Sequence, residues 1–357
     1  MRKIRLKKQI PGILLNLYKN APFISSRLKY LLEVNQLFTL DSTNSKKIKL
    51  SAEISWKIKK DKKTGDKLLI LDFYDMANLD FRSKIEDLQG CIQSLFETYV
   101  LEKIKNFNYT RFICPYKTKK EEPPFILGVK TEKACTGQIP LNKYYKWDFS
   151  NSSQSHFLIC GASGSGKSRY LHYLVNQWAN QNFKTFLVDG KQSELREFGR
   201  MMQVYRNAET YEDVKEVIFE AEREMINRTF AEPFALVIDE LASLQLLWNK
   251  KESEEVMRSL TNFCLRARSS GGHLILALQR PSASAFFNNL AIRDQCGIRI
   301  ALGNSTKESL AMMFDITSKT EDIVSRGTGQ GYLSICGSEL KYFDCPKILF
   351  PHEIEKE

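Results

Sequence analysis

Apolar and polar positions follow three different periods along the chain, and each predicts a different kind of element. Over residues 1–40 basic and apolar residues are mixed, with Leu28, Leu31, Leu32 and Leu37 near helical spacing. Both an arm that touches nucleic acid or anionic lipid and an amphipathic helix packed on its own protein fit that segment. From Lys46 to Asp75 the period falls to two, through Ile48, Leu50, Ala52, Ile54, Trp56 and Ile58, a polar link from Asp61 to Asp66, and Leu68 to Tyr74. This predicts a β-hairpin. Helical spacing returns from Ile85 through Leu88, Ile92, Leu95, Phe96, Tyr99 and Val100, and short strands are expected at Tyr109 to Cys114 and Phe125 to Val129. The reading is a basic helical arm over 1–45 and a small α+β domain over 46–150 that serves binding or docking, since it carries no chemical motif.

Beyond Ser155 the texture is strand, turn and helix in alternation. Continuous apolar runs at Phe157 to Cys160, Lys184 to Val188, Phe234 to Ile238, His273 to Leu278, Ile298 to Leu302 and Gly331 to Ile335 predict strands. Helices are expected after Lys167, from the second strand through Arg228, and from Glu252 to Arg268. Strands that are apolar throughout and separated by helices imply a mainly parallel sheet covered on both faces, an α/β domain over 151–350 followed by a short tail at 351–357.

Composition changes this picture chiefly through charge. The 357 residues carry a formal charge of +11, and 43% are hydrophobic, enough for a real core. Residues 1–150 hold 29 Lys or Arg and 16 Asp or Glu, whereas residues 151–357 hold 24 and 26. The excess is amino-terminal, which argues for a domain boundary there and for a polyanionic partner of the first domain. Eight cysteines without a C-x-x-C pair indicate neither a zinc site nor a disulfide framework. No run approaches the apolar length of a membrane span, and the brief Ile10 to Leu17 stretch does not make a cleavable signal. A cytoplasmic protein is expected, with membrane association only through partners.

The chemistry is concentrated after residue 155. Gly161, Ala162, Ser163, Gly164, Ser165, Gly166, Lys167 and Ser168 satisfy G-x-x-x-x-G-K-S between an apolar strand and a helix. In that pattern backbone N–H groups converge on a triphosphate, Lys167 neutralises the β and γ phosphates, and Ser168 offers an oxygen to Mg²⁺. The ligands expected are therefore ATP and Mg²⁺. Phe234 to Glu240 is an apolar strand ending in two acids. Asp239 suits the Mg²⁺ shell and Glu240 the polarisation of an attacking water, an arrangement for hydrolysis rather than transfer to a second substrate.

A third segment, Arg266 to Pro281, completes a series. Together with the phosphate loop, Leu187 to Lys191, Ile238 to Ala242, Arg299 to Ala301 and Gly327 to Tyr332, it makes the chain resemble the FtsK–HerA branch of P-loop ATPases over roughly residues 155–350. The similarity is to FtsK-type double-stranded DNA translocases and to their relatives in Gram-positive conjugation, the coupling proteins. The resemblance implies a RecA-like motor domain that assembles into a hexameric ring around DNA. It also implies that Gln279 is the polar sensor of the γ-phosphate and Arg268 the arginine finger that reaches a neighbouring subunit's nucleotide, with Arg266, Arg280 and Arg299 as alternatives. Full-length chromosomal translocases of this type add membrane helices before the motor and a winged-helix domain after it, and neither is legible in this sequence. A conjugative coupling protein with a relaxase and secretion-channel proteins as partners is the leading expectation. A DNA segregation or packaging motor, or an ATP-gated docking switch without sustained translocation, stands beside it.

Overall fold

The computed structural model describes residues 2–4, 24–41, 44–62, 64–75, 78–96, 98–116, 124–129, 137–227, 232–244, 248–282, 284–286, 290–315, 327–338 and 340–356. The chain parts into two compact units, Met1–Glu121 and Glu122–Glu357.

In chain order the first unit comprises β1 (Arg2–Ile4), α1 (Ile24–Val34), β2 (Phe38–Asp41), β3 (Asn44–Ser51), β4 (Glu53–Lys60), β5 (Lys67–Tyr74), α2 (Leu79–Glu86), α3 (Gln89–Phe96), β6 (Glu102–Lys105) and β7 (Tyr109–Pro115). Five strands form an antiparallel sheet in the order β1-β4-β5-β7-β6, while β2 and β3 pair apart from it. The period of two does what it predicts on β5, where Leu69, Leu71 and Phe73 enter one core with Ile54 and Phe112 of the neighbouring strands. Leu28, Leu31 and Leu32 of α1 enter the same core. Of the two readings of the basic amino-terminal segment, the described residues therefore follow the packed helix: α1 is held by burial, and Arg2–Ile4 is a sheet strand rather than part of a free arm. Residues 5–23, with the Ile10 to Leu17 stretch, lie outside the described residues. The alternating run from Ile48 to Ile58 is two strands, because the chain changes partner at Ala52, from β2 to β5. The helical run from Ile85 likewise divides, at Asp87, into α2 and α3.

The second unit continues with β8 (Phe125–Ile126), β9 (Gln138–Pro140), β10 (Lys146–Asp148), β11 (Phe157–Gly161), α4 (Lys167–Ala179), β12 (Lys184–Asp189), α5 (Glu194–Met202), β13 (Arg206–Asn207), α6 (Asp213–Asn227) and β14 (Phe234–Asp239). It is completed by α7 (Leu241–Leu244), α8 (Lys250–Arg266), β15 (Gly272–Leu278), α9 (Ala291–Asp294), β16 (Ile298–Leu302), α10 (Lys307–Phe314), β17 (Gln330–Ile335), β18 (Lys341–Asp344) and β19 (Ile348–Leu349). Eight strands form one sheet in the order β13-β12-β14-β15-β11-β16-β17-β18. The pairings from β13 to β16 are parallel and the last two antiparallel. Alternate residues of β14 enter opposite cores: Leu236 and Ile238 face α6 and α8, whereas Val237 shares the other core with Leu174 and Trp178 of α4. Burial on both faces is why these strands read as unbroken apolar runs.

The compact units separate earlier than the step expected after residue 150. Phe125 and Ile126 pair with Ile348 and Leu349, and Trp147 stacks on Trp178 at 5.4 Å beneath α4. These apolar contacts tie residues 124–150 to the second unit, a link that a charge count does not register. Divided at the structural boundary, the first unit holds 25 basic and 13 acidic residues and the second 28 and 29. Residues 351–356 are a 3₁₀ turn rather than a loose tail, with Glu353 gripping Arg169 at 2.8 Å. Among the described residues no helix is long and apolar enough to cross a membrane.

Candidate active site

The site forms where the parallel strands end. β11 delivers the chain into Gly161–Ser168, and α4 starts at Lys167, so the backbone N–H groups of its first turn face the loop. The loop's curvature needs residues without a side chain. Gly164 and Gly166 adopt φ of 79° and 91°, and a Cβ on Gly166 would lie 3.1 Å from the Gly329 nitrogen. Ala162, Ser163, Gly164 and Ser168 are exposed along the rim, and Gly161, Ser165 and Lys167 are buried beneath it.

Lys167 Nζ lies 2.6 Å from Asp239 Oδ1, both side chains being 5% exposed. Lys167 opens the helix that follows β11 and Asp239 ends β14, two strands that do not touch because β15 runs between them. Gln279, half-buried, follows the last residue of that intervening strand. Glu240 follows Asp239 with φ 59°, a left-handed conformation that few non-glycine residues adopt. Its N–H donates to the Ala277 carbonyl at 2.9 Å, which holds the bend. Its Oε2 is buried without a hydrogen bond, and the Lys191 ammonium is 3.7 Å away. Burial raises the Glu240 carboxyl above the ordinary range, opposed by the charges of Lys167 and Lys191.

Two supports had no role assigned from sequence. Asp189, fully buried, accepts hydrogen bonds from the backbone N–H groups of Lys191, Ser193 and Arg196 at 3.0, 2.8 and 3.1 Å. It thereby fixes the turn that carries Lys191 toward Glu240. Gly190 lets this turn approach, since a Cβ there would lie 2.6 Å from the Glu240 carbonyl oxygen. The second support is the 327–331 segment: Thr328 Oγ1 donates to the Gly164 carbonyl at 3.0 Å and Gly329 N–H to the Ser165 carbonyl at 2.8 Å. The signal for both was present as Leu187 to Lys191 and Gly327 to Tyr332, but spacing did not say what they touch.

Arg268 lies elsewhere. It sits exposed on the turn Ala267–Ser270 that precedes β15, at the opposite end of the strand from Gln279. Seven strand residues separate it from its own phosphate loop's edge of the sheet, roughly 20 Å at about 3.3 Å per residue. Arg266 is on the same edge and Arg299 lines a cleft there with Arg268 and His156, whereas Arg280 is exposed beside Gln279.

The donors suit a hard cation of the Mg²⁺ kind. Ser168 on the loop and Asp239 at the end of β14 carry oxygen donors, and among the described residues no group of three or more His, Cys, Asp or Glu could hold a metal ion. Phosphate oxygens would have to complete the shell.

A glycine loop whose lysine reaches across an intervening strand to a strand-end acid is the architecture of a RecA-like P-loop ATPase domain. Residues 150–286 match the model of the AAA domain family. In particular, the similarity to FtsK-type proteins extends through most of the chain. It is 22% identical over 329 residues to the FtsK domain-containing protein YdcQ of Bacillus subtilis, covering 87% of this chain and 65% of that protein. It is 28% identical over 240 residues to the DNA translocase FtsK of Halalkalibacterium halodurans, covering 57% of this chain and 28% of that one. The chain thus spans about two thirds of the first relative and little more than a quarter of the second. The pCW3 conjugation coupling protein TcpA, solved in a monomer form with ATPgS, shares the fold at a TM-score of 0.51 and 18% identity, over 88% of this chain and 92% of that one.

Proposed function

We propose that this chain is an ATP-driven DNA translocase that works as a ring of its own copies, six by the resemblance, and moves duplex DNA of a plasmid or other mobile element. The observation that carries the reading is Glu240, a buried acid held by a left-handed bend beside Asp239 and across from Lys167. A carboxylate so placed polarises water for attack on a terminal phosphate, which is the requirement of hydrolysis. Lys167 exchanges Asp239 for the β and γ phosphates when nucleotide enters, and the loop N–H groups hold the chain of phosphates in line. Ser168 and Asp239 would hold Mg²⁺, which when bound would supply positive charge to the phosphate oxygens. Gln279 reports the presence of the γ-phosphate to β15, whose far end carries Arg268. Arg268 acts on the nucleotide of the adjacent copy.

Conjugative delivery, with a relaxase and secretion-channel proteins as partners at a membrane, is the use we assign to this motor in an otherwise cytoplasmic protein. The test is ATP turnover with no DNA, with single strands and with duplex. Stimulation by duplex that disappears in Lys167→Ala supports the reading. Turnover indifferent to any DNA overturns it in favour of a nucleotide-gated docking protein.

A further inference from the structure

We infer that the first unit carries a binding site for unpaired bases of single-stranded DNA, centred on Phe107 and Leu79. Phe107, at the tip of the β6–β7 hairpin, is 89% exposed, and Leu79, at the start of α2, is 79% exposed. They are the two most exposed large apolar residues described in the protein, and they border one cleft of about 370 Å³. Tyr74, Asp75, Asn78, Arg82 and Asn108 line it, and Arg82 is fixed there by Asp75 at 2.8 Å. Exposed apolar side chains with the Tyr74 ring and the Asn108 amide beside them match a nucleobase, which has π faces and a polar edge.

The surface continues from the cleft across the sheet. Tyr74 is the register partner of Tyr109, with ring centroids 5.6 Å apart, and the Arg111 guanidinium lies 5.2 Å over the Tyr109 ring. Both tyrosines are half-buried. Phe107, Tyr74 and Tyr109 thus offer successive rings, with Lys57 and Lys59 of β4 on the same face of the sheet, whereas Lys103 and Lys105 of β6 turn to the other face, toward Glu86. The charge is complementary to a phosphate backbone, the unit holding 25 basic against 13 acidic residues. Paired bases have their faces covered and cannot use these rings, so the site selects unpaired strand. An anionic membrane would use the two exposed apolar residues but not the Tyr74–Tyr109 pair on the sheet.

This inference adds a second DNA site to the reading proposed above, and the two fail separately. The test is fluorescence anisotropy of a labelled single strand of about 20 nucleotides, and of the same length of duplex, on the full chain at matched salt. Phe107→Ala and Tyr109→Ala are expected to weaken single-strand binding about fivefold or more each and duplex binding far less, while Tyr109→Phe retains binding. Equal loss on both DNAs, or single-strand affinity unchanged in Phe107→Ala and Leu79→Ser, overturns the site. So does loss of binding to vesicles rich in anionic lipid with DNA binding intact. Selective loss without duplex-stimulated turnover would leave this site standing and remove the translocase reading.

Discussion

Glu240 combines two demands on one residue. A side chain in left-handed backbone costs about 1–2 kcal/mol, and its carboxylate is buried with one oxygen lacking a hydrogen bond. Neither feature helps folding, so the acid is retained against stability. Glu240→Gln should retain nucleotide binding and lower turnover by about 10²-fold or more, read as ATP hydrolysis beside binding of a fluorescent nucleotide. Glu240→Gly should be equally inactive yet melt at a higher temperature, because glycine accepts φ near 59° without strain. A lower melting temperature for Glu240→Gly would show that the strain argument is wrong.

At the scale of elements, the phosphate loop is braced by the turn before β17. Thr328→Val removes one hydroxyl donor to Gly164 and changes little volume, so its expected signature is weaker ATP binding with modest change in fold stability, about 1 kcal/mol or less. Nucleotide titration beside thermal melting checks it. The other ends of β11 and β15 are joined by two buried histidines. His156 accepts from the Leu274 N–H through Nδ1 and so donates through Nε2 to the Cys264 carbonyl at 2.8 Å, while His273 Nδ1 donates to the Ser155 carbonyl at 2.6 Å. Burial depresses both rings from 6.5 to about 4. Folded protein therefore binds fewer protons than unfolded chain. Stability from these rings is whole above pH 6.5 and drains as pH falls toward about 4, by roughly 3 kcal/mol per ring. Urea midpoints should fall over that window, and a His156→Gln, His273→Asn protein should lose much of that slope.

These elements were unequally legible. The strands β11, β12, β14, β15 and β16 announce themselves because burial on both faces demands continuous apolar runs, and the phosphate loop because its glycines have no substitute. β13, two residues long, and β18 gave no run to read. Lys191 and Thr328 lay inside recognised motifs, yet their roles depend on contacts across 49 and 164 residues of chain, to Glu240 and Gly164, which no local period encodes.

For the whole molecule, the separation between Arg268 and its own phosphate loop makes a specific demand on assembly. On the proposed ring mechanism, Arg268→Ala and Lys167→Ala should each be inactive alone, the one lacking the arginine assigned to the neighbour's nucleotide and the other its own nucleotide site. Mixed, they should recover part of the turnover, since an intact loop then meets an intact arginine from a neighbour. Absence of recovery at concentrations where the copies associate would remove Arg268 from the mechanism.

For the translocase proposed above, the pairing of β8 with β19 has a mechanical meaning. The strand by which the chain enters the ATPase unit and the strand by which it leaves lie side by side, Phe125 against Ile348 and Ile126 against Leu349. On that reading, tension arriving through residue 124 would be met at that clasp before β11 and the phosphate loop, two short strands serving as strain relief for the nucleotide site.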